Sequence, residues 1–203
     1  MTALPLGAEI GVPAHRRRPL AAVGRLVCAI AALALAASSI IWNSTYRALE
    51  ATGASIVLRP FVDGRSTAVQ DIFWVYPEGF AQGFRVTAEC TAILLVAPLL
   101  LLTVALFVFT RASVWRVWLG AATMFVIITV VNEARLALIA WAGVQWGMKD
   151  GYQVAHVFIG SFVGIIGFAG GLAALVLISV GRSRKRNRNS HRRTQGVAND
   201  SPA

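Results

Sequence analysis

Four polar side chains interrupt otherwise apolar stretches of this sequence: Cys90, Asn132, Arg135 and His156. They offer a thiol, a carboxamide, a guanidinium and an imidazole. A histidine can act as general base or ion-pair partner for a thiol, and then as general acid for a leaving amine. An arginine can donate hydrogen bonds to the oxyanion that develops on an attacked carbonyl. Asn132 lies three residues before Arg135, so a helix puts both on one face, where Asn132 orients Arg135 or donates a hydrogen bond itself. This set suits acyl transfer on a peptide bond.

Each residue alone also has a plain structural reading. Buried cysteines are common and inert, and Cys28 is read that way. A histidine near a membrane interface is usually a surface or hydrogen-bonded residue. Arg135 either faces a bundle interior as a functional group, snorkels to the surface, or pairs with Glu89 or Glu133. What separates these readings is whether Cys90, Arg135 and His156 meet.

The elements that position them are spans. The 203 residues are 57% hydrophobic and only 14% charged, against about 25% charge in soluble domains. Four stretches meet the roughly 20 apolar residues that cross a bilayer: Leu20 to Trp42, Val86 to Phe109, Val114 to Trp141 and Val154 to Val180. The fold class expected is therefore all-α, a polytopic transmembrane bundle of about four spans. The first span is read as a retained anchor rather than a cleaved signal peptide. Cys28 precedes its apolar core, which makes a poor lipoprotein site.

Charge then sets direction, because loops rich in Lys and Arg stay cytoplasmic. Arg16, Arg17 and Arg18 precede the first span, Arg111 and Arg116 link the second and third, and a basic run begins at Arg182. All three segments are expected inside, with both termini cytoplasmic. The loop from Asn43 to Arg85 and the short loop at Lys149–Asp150 are expected outside. Cys90 then lies one turn below the outer surface. Arg135 lies about 9 Å before Trp141 at 1.5 Å per residue, and His156 falls in the first turn of the fourth span. All three share one depth near the extracytoplasmic face.

The domain division expected is a basic tail (1–19), a transmembrane domain (20–181) with outer loop 43–85, and a disordered basic tail (182–203). The loop is too long for a plain connector. Its stretch Asp71-Ile72-Phe73-Trp74-Val75-Tyr76 reads as a short strand or re-entrant piece, and as either a peptide-docking lid or a packed cap. Formal net charge is +10, with seven of the 19 Lys and Arg between Arg182 and Arg193. Beside spans, such runs touch anionic lipid rather than nucleic acid. No cofactor is implied. The two cysteines give no disulfide framework, and no zinc-ligand spacing, His-Glu-x-x-His or Gly-x-Ser-x-Gly occurs.

In Glu89-Cys90-Thr91, Asn132-Glu133-Ala134-Arg135 and His156-Val157-Phe158-Ile159-Gly160, the chain resembles the exosortase/archaeosortase family of membrane cysteine transpeptidases. The resemblance covers roughly Val86 to Gly171, and only the ordered set of motifs is specific. It implies an enzyme of the plasma membrane that cuts surface proteins at a carboxyl-terminal sorting signal through an acyl-enzyme and passes them to a surface acceptor. In that reading Cys90 is nucleophile, His156 acid/base, Arg135 oxyanion or thiolate stabiliser and Asn132 a supporting residue. Thr91-Ala92 stands where many relatives have Ser-Gly, and many relatives carry additional amino-terminal spans. These departures bear on substrate motif and acceptor more than on chemistry. The Ala- and Arg-rich composition resembles that of high-GC bacteria such as actinobacteria. The competing reading is a non-enzymatic membrane assembly or transport subunit, in which Arg135, Glu133 and His156 make interhelical contacts. Hydrolysis and transfer are not distinguished by sequence.

Overall fold

The computed structural model describes residues 18–77 and 80–181. Residues 1–17, Glu78, Gly79 and the basic segment 182–203 lie outside the described residues, and with them most of both expected tails.

Helix α1 (Arg18–Ile41) presents Ala29, Ala32, Ala36 and Ser39 at helical spacing to the interior, while Val23, Leu26, Val27 and Ile30 stay exposed. Small residues on the inner stripe allow close approach of α3 (Ile93–Phe109), which packs beside α1. Arg25 holds the end of that pair. Its Nε donates to the carbonyl of Phe107 at 3.1 Å and its Nη2 to that of Thr110. A cation thereby meets carbonyls left without helical partners at the carboxyl end of α3.

Helix α4 (Val114–Trp146) has 33 residues and so is about 50 Å long. At Gly147 the backbone takes φ 88°, a left-handed value that glycine adopts at no steric cost, and the chain turns back. Two π-helical stretches, Gly147–Gly151 and Ala155–Ile159, flank the short α5 (Tyr152–Val154) and lead into α6 (Gly160–Val180). Helices α4 and α6 are antiparallel: Gly171 faces Ile128 and Met124, Gly167 faces Val131, and Gly160 faces Arg135 and Ile139. Gly164 faces open space instead, so the close approach is made by Gly160 together with Gly167 and Gly171.

By length and composition, Ala22–Ile41 and the folded-back run Val114–Val180 are apolar enough to cross a membrane, while α3, with 17 residues, is shorter. Residues from α1, α3, α4 and α6 share one apolar core, including Ala32, Val96, Phe107, Met124, Ile128 and Leu175.

Three expectations need correction. First, the chain is mostly helical rather than all-α, because residues 43–85 fold into a structured cap. Helix α2 (Asn43–Leu58) starts beyond Trp42, and three antiparallel strands follow in the order β1 (Ser66–Val69), β2 (Ile72–Val75), β3 (Gln82–Arg85). Val69 pairs with Ile72 across a two-residue turn in which Gln70 takes φ 55°. Phe73 pairs with Phe84, their rings stacked 5.5 Å apart. Second, the apolar run at Val86 does not open a helix. The Val86 amide donates to the Asp71 carbonyl at 2.8 Å and extends the sheet, so α3 begins only at Ile93 and Cys90 sits in the turn before it rather than one turn inside a span. Third, α4 continues past Trp141 to Trp146, and His156 lies in a π-helical stretch rather than the first turn of an α-helix.

The cap has its own core. Ala51, Ala54 and Leu58 of α2 meet Phe73, Val75, Phe84 and Val86 of the sheet, and Leu136, Ala137 and Ala140 of α4 close it from below. Cys90 belongs to this cluster.

Candidate active site

Cys90 is held by a polar turn. Its amide donates to the Thr87 carbonyl at 3.1 Å, and its side chain is only 4% exposed. His156 approaches from the other side of the site: Cys90 Sγ and His156 Nδ1 are 3.9 Å apart, the long end of the range for a sulfur hydrogen bond. Two residues 66 apart in sequence thus place thiol and imidazole in contact.

The imidazole is itself oriented. Tyr152 precedes His156 by four residues and stacks on it, ring centroids 5.5 Å apart and planes within 13°. Tyr152 also packs against Phe84 of β3 at 6.0 Å, so the cap sheet reaches the histidine through one aromatic ring. Burial first, and then the neighbouring Cys90, push the Tyr152 hydroxyl above its usual range and keep it neutral. Tyr152 is not among the candidate residues read from the sequence. Its four-residue offset from His156 was the available sign of a shared face.

Arg135 lies on the other side of Gly160. A Cβ added at Gly160 would stand 3.1 Å from Arg135 Nε, so the glycine leaves the room that the guanidinium stem occupies. Arg135 Nη1 donates to Asn132 Oδ1 at 3.4 Å, and Asn132 is buried at 3% exposure. Arg135 pairs with neither Glu89 nor Glu133 among the described residues, where both ion pairs involve Asp71. Arg135 Nε, Asn132 Nδ2 and Glu133 Oε2 are buried without a hydrogen-bond partner among the described residues, so polar capacity in this layer is left unspent.

Glu50 of α2 also reaches this layer, and nothing local in the sequence marked it. Its Oε1 accepts the Ala92 amide at 2.7 Å, two residues after Cys90. Burial raises the Glu50 carboxyl above its usual range, opposed by the nearby Thr91 hydroxyl, the Ala92 amide and the charges of Arg135 and Arg47.

Between α3 and α6 a lateral cleft of about 420 Å³ opens, walled by Leu95, Pro98, Gly164 and Phe168. Arg135, Glu89 and Ser161 supply its polar lining. No group of three or more candidate metal ligands occurs among the described residues.

The arrangement defines a class: a mostly helical, strongly apolar protein that holds a thiol–imidazole pair under a small α/β cap, with an arginine against Gly160, four residues on from the histidine. A model described as transmembrane exosortase matches residues 21–177, and the chain belongs to that family. Membership places it in the membrane and implies an enzyme that processes sorting signals. The matched region includes α1 and the whole cap, well beyond the three motifs. No curated protein and no solved structure matches the chain.

Proposed function

We propose that the protein is a multi-pass cysteine transpeptidase of the cell membrane that cleaves substrate proteins at a carboxyl-terminal sorting signal and transfers them to a surface acceptor. The observation that carries this reading is the 3.9 Å contact between Cys90 Sγ and His156 Nδ1 in a protein of this family.

His156 takes the thiol proton on Nδ1 as Cys90 Sγ attacks the scissile carbonyl carbon. The carbonyl oxygen gains the negative charge, and Arg135 donates to it, with Asn132 holding the guanidinium. The carbon–nitrogen bond then breaks, and the leaving amine takes the proton from His156. A thioester on Cys90 is left, bearing the amino-terminal part of the substrate. An acceptor nucleophile gives its proton to His156, attacks the thioester carbon and regenerates the thiol. Burial of Cys90 strengthens each electrostatic contact by keeping water away from the reacting atoms.

In this reading α1, α3, α4 and α6 are the four spans, both termini are cytoplasmic, and the cap with Cys90 and His156 faces outside. Basic segments at the two ends lie against anionic lipid.

The test is a substrate-processing assay in cells, with the new carboxyl terminus of a co-expressed substrate identified by mass spectrometry. Cys90→Ala and Cys90→Ser are expected to abolish processing while the protein accumulates in the membrane at normal levels. Processing at wild-type levels by both variants ends the reading. A silent Cys90→Ala combined with an Arg135→Ala that destabilises the extracted protein points instead to a membrane assembly subunit.

A further inference from the structure

Glu50 lies 40 residues before Cys90, on a helix of the cap, and is only 7% exposed. A buried carboxylate is costly unless its oxygens are satisfied. One oxygen is satisfied by a specific target: Oε1 accepts the Ala92 amide at 2.7 Å, while Oε2 is buried without a hydrogen-bond partner among the described residues. Ala92 is the residue immediately before α3, and its own side chain offers no cap. The first amides of a helix lack intrahelical acceptors, and a carboxylate there is favoured by the helix dipole. Thr91 Oγ1 accepts the Ile93 amide at 3.4 Å, and Glu50 adds an acceptor for the Ala92 amide from another element, at the residues that follow the thiol.

The location has a consequence for chemistry. Cys90 closes the turn that starts at Thr87, and Thr91 opens the next turn, which leads into α3, so an anchor at Ala92, two residues on, also limits where Cys90 Sγ points. The 3.9 Å approach to His156 leaves little slack, because a thiol displaced further from the imidazole loses its proton acceptor. We propose that Glu50 is a positioning residue for the Cys90 thiol: its carboxyl oxygen fixes the Cys90–Ala92 segment and makes the cap helix α2 part of the active site. This rests on the reading of Cys90 as nucleophile. It also assigns the segment 43–85 a task in catalysis.

Helix α2 is itself set against α4 closely enough to transmit this. A Cβ at Gly53 would stand 2.8 Å from the Glu133 carboxyl, so Gly53 lets the two helices meet one turn from Glu50.

The test uses the full chain in detergent with Cys28→Ser, so that Cys90 is the sole thiol, and iodoacetamide as probe. Alkylation rate is measured across the neutral pH range, and amide exchange is followed in the peptide spanning residues 90–95. E50A and E50D, the latter one methylene too short to reach Ala92, are expected to exchange about tenfold faster in that peptide alone. Their alkylation rate is expected to differ severalfold from that of wild type. E50Q keeps an acceptor oxygen at the same reach and is expected to restore both readouts. Wild-type behaviour of E50A in either readout overturns the proposal, since a purely structural cap would alter exchange without altering the thiol. E50Q as impaired as E50A also overturns it, because charge rather than the fixed acceptor would then matter. Should E50A exchange fast everywhere, the contrast between E50D and E50Q decides. Failure of the nucleophile reading shows separately, as processing that survives Cys90→Ala.

Discussion

Gly160 illustrates how a single side chain, or the lack of one, shapes the site. Its missing Cβ leaves room for Arg135 Nε at 3.1 Å and Ile139 Cδ1 at 3.2 Å. Gly160→Ala demands a shift of a few tenths of an ångström. The guanidinium is the end of a flexible chain and can give way, so the fold survives. Its aim at the oxyanion position changes, and catalysis is sensitive to small misplacement. Gly160→Ala is expected to leave thermal stability of the extracted protein near wild type while slowing processing by about tenfold or more. Unchanged processing would show that Arg135 has no directed role. The His156–Gly160 spacing was legible in the sequence, but its reason was not. The motif alone ties Gly160 to His156, whereas the glycine makes room for Arg135 on the neighbouring helix. Glu50 was illegible for a related cause: its target, the Ala92 amide, lies 42 residues away, and backbone amides leave no mark in a sequence.

The cap sheet depends on Asp71. Its Oδ2 accepts from Arg85 Nε at 3.0 Å and from Arg47 Nη1 at 3.2 Å, joining the two outer strands' ends to α2. The hydrogen bond from Arg85, together with the charges of Arg85 and Arg47, holds the Asp71 carboxyl below its ordinary range. A depressed carboxyl stabilises the fold above its unfolded-state pKa of about 3.9, and the benefit fades as pH falls through the folded value. Amide protection of residues 66–86, corrected for intrinsic exchange, is expected to fall on acidification below about pH 4. Asp71→Asn is expected to be less protected at neutral pH and to lose most of that acid dependence; an unaltered acid response in Asp71→Asn would assign it to another group. The aromatic and β-branched run at Ile72–Val75 made β2 legible. Its partners were not, because β1 and β3 have four residues each and Gln82-Gly83-Phe84-Arg85 carries little strand signal. Helix α2 was hidden because Asn43–Leu58 mixes small and polar residues without a clear apolar stripe. At Val86 hydrophobicity was visible, but it does not distinguish the last residue of a sheet from the first of a span.

The whole chain stacks two cores, an apolar one shared by α1, α3, α4 and α6 and a smaller one under the cap, with Cys90 at their boundary. Helix α3 decides how deep that boundary lies. Its 17 residues reach about 25 Å, less than a hydrocarbon core of about 30 Å. If its carboxyl end, where Arg25 sits, lies at the cytoplasmic interface, the Cys90 turn falls at or just inside the outer headgroup layer. Exposed Trp42 and Trp146 near the cap, and exposed Trp115 at the opposite end of α4, suit the two interfaces. The proposed orientation rests on Arg111 in the link between α3 and α4 and on Arg116 in the first turn of α4, and it is open to direct test. In a chain with Cys28 and Cys90 both changed to Ser, single cysteines are introduced as Ser113→Cys in that link and Lys149→Cys at the turn between α4 and α6. A membrane-impermeant maleimide added to intact cells is expected to label Lys149→Cys at once and Ser113→Cys only after permeabilisation. The reverse pattern would put Cys90 and His156 on the cytoplasmic side, where they could not act on proteins at the cell surface. Labelling of both sites in intact cells would mean that α4 does not cross the membrane.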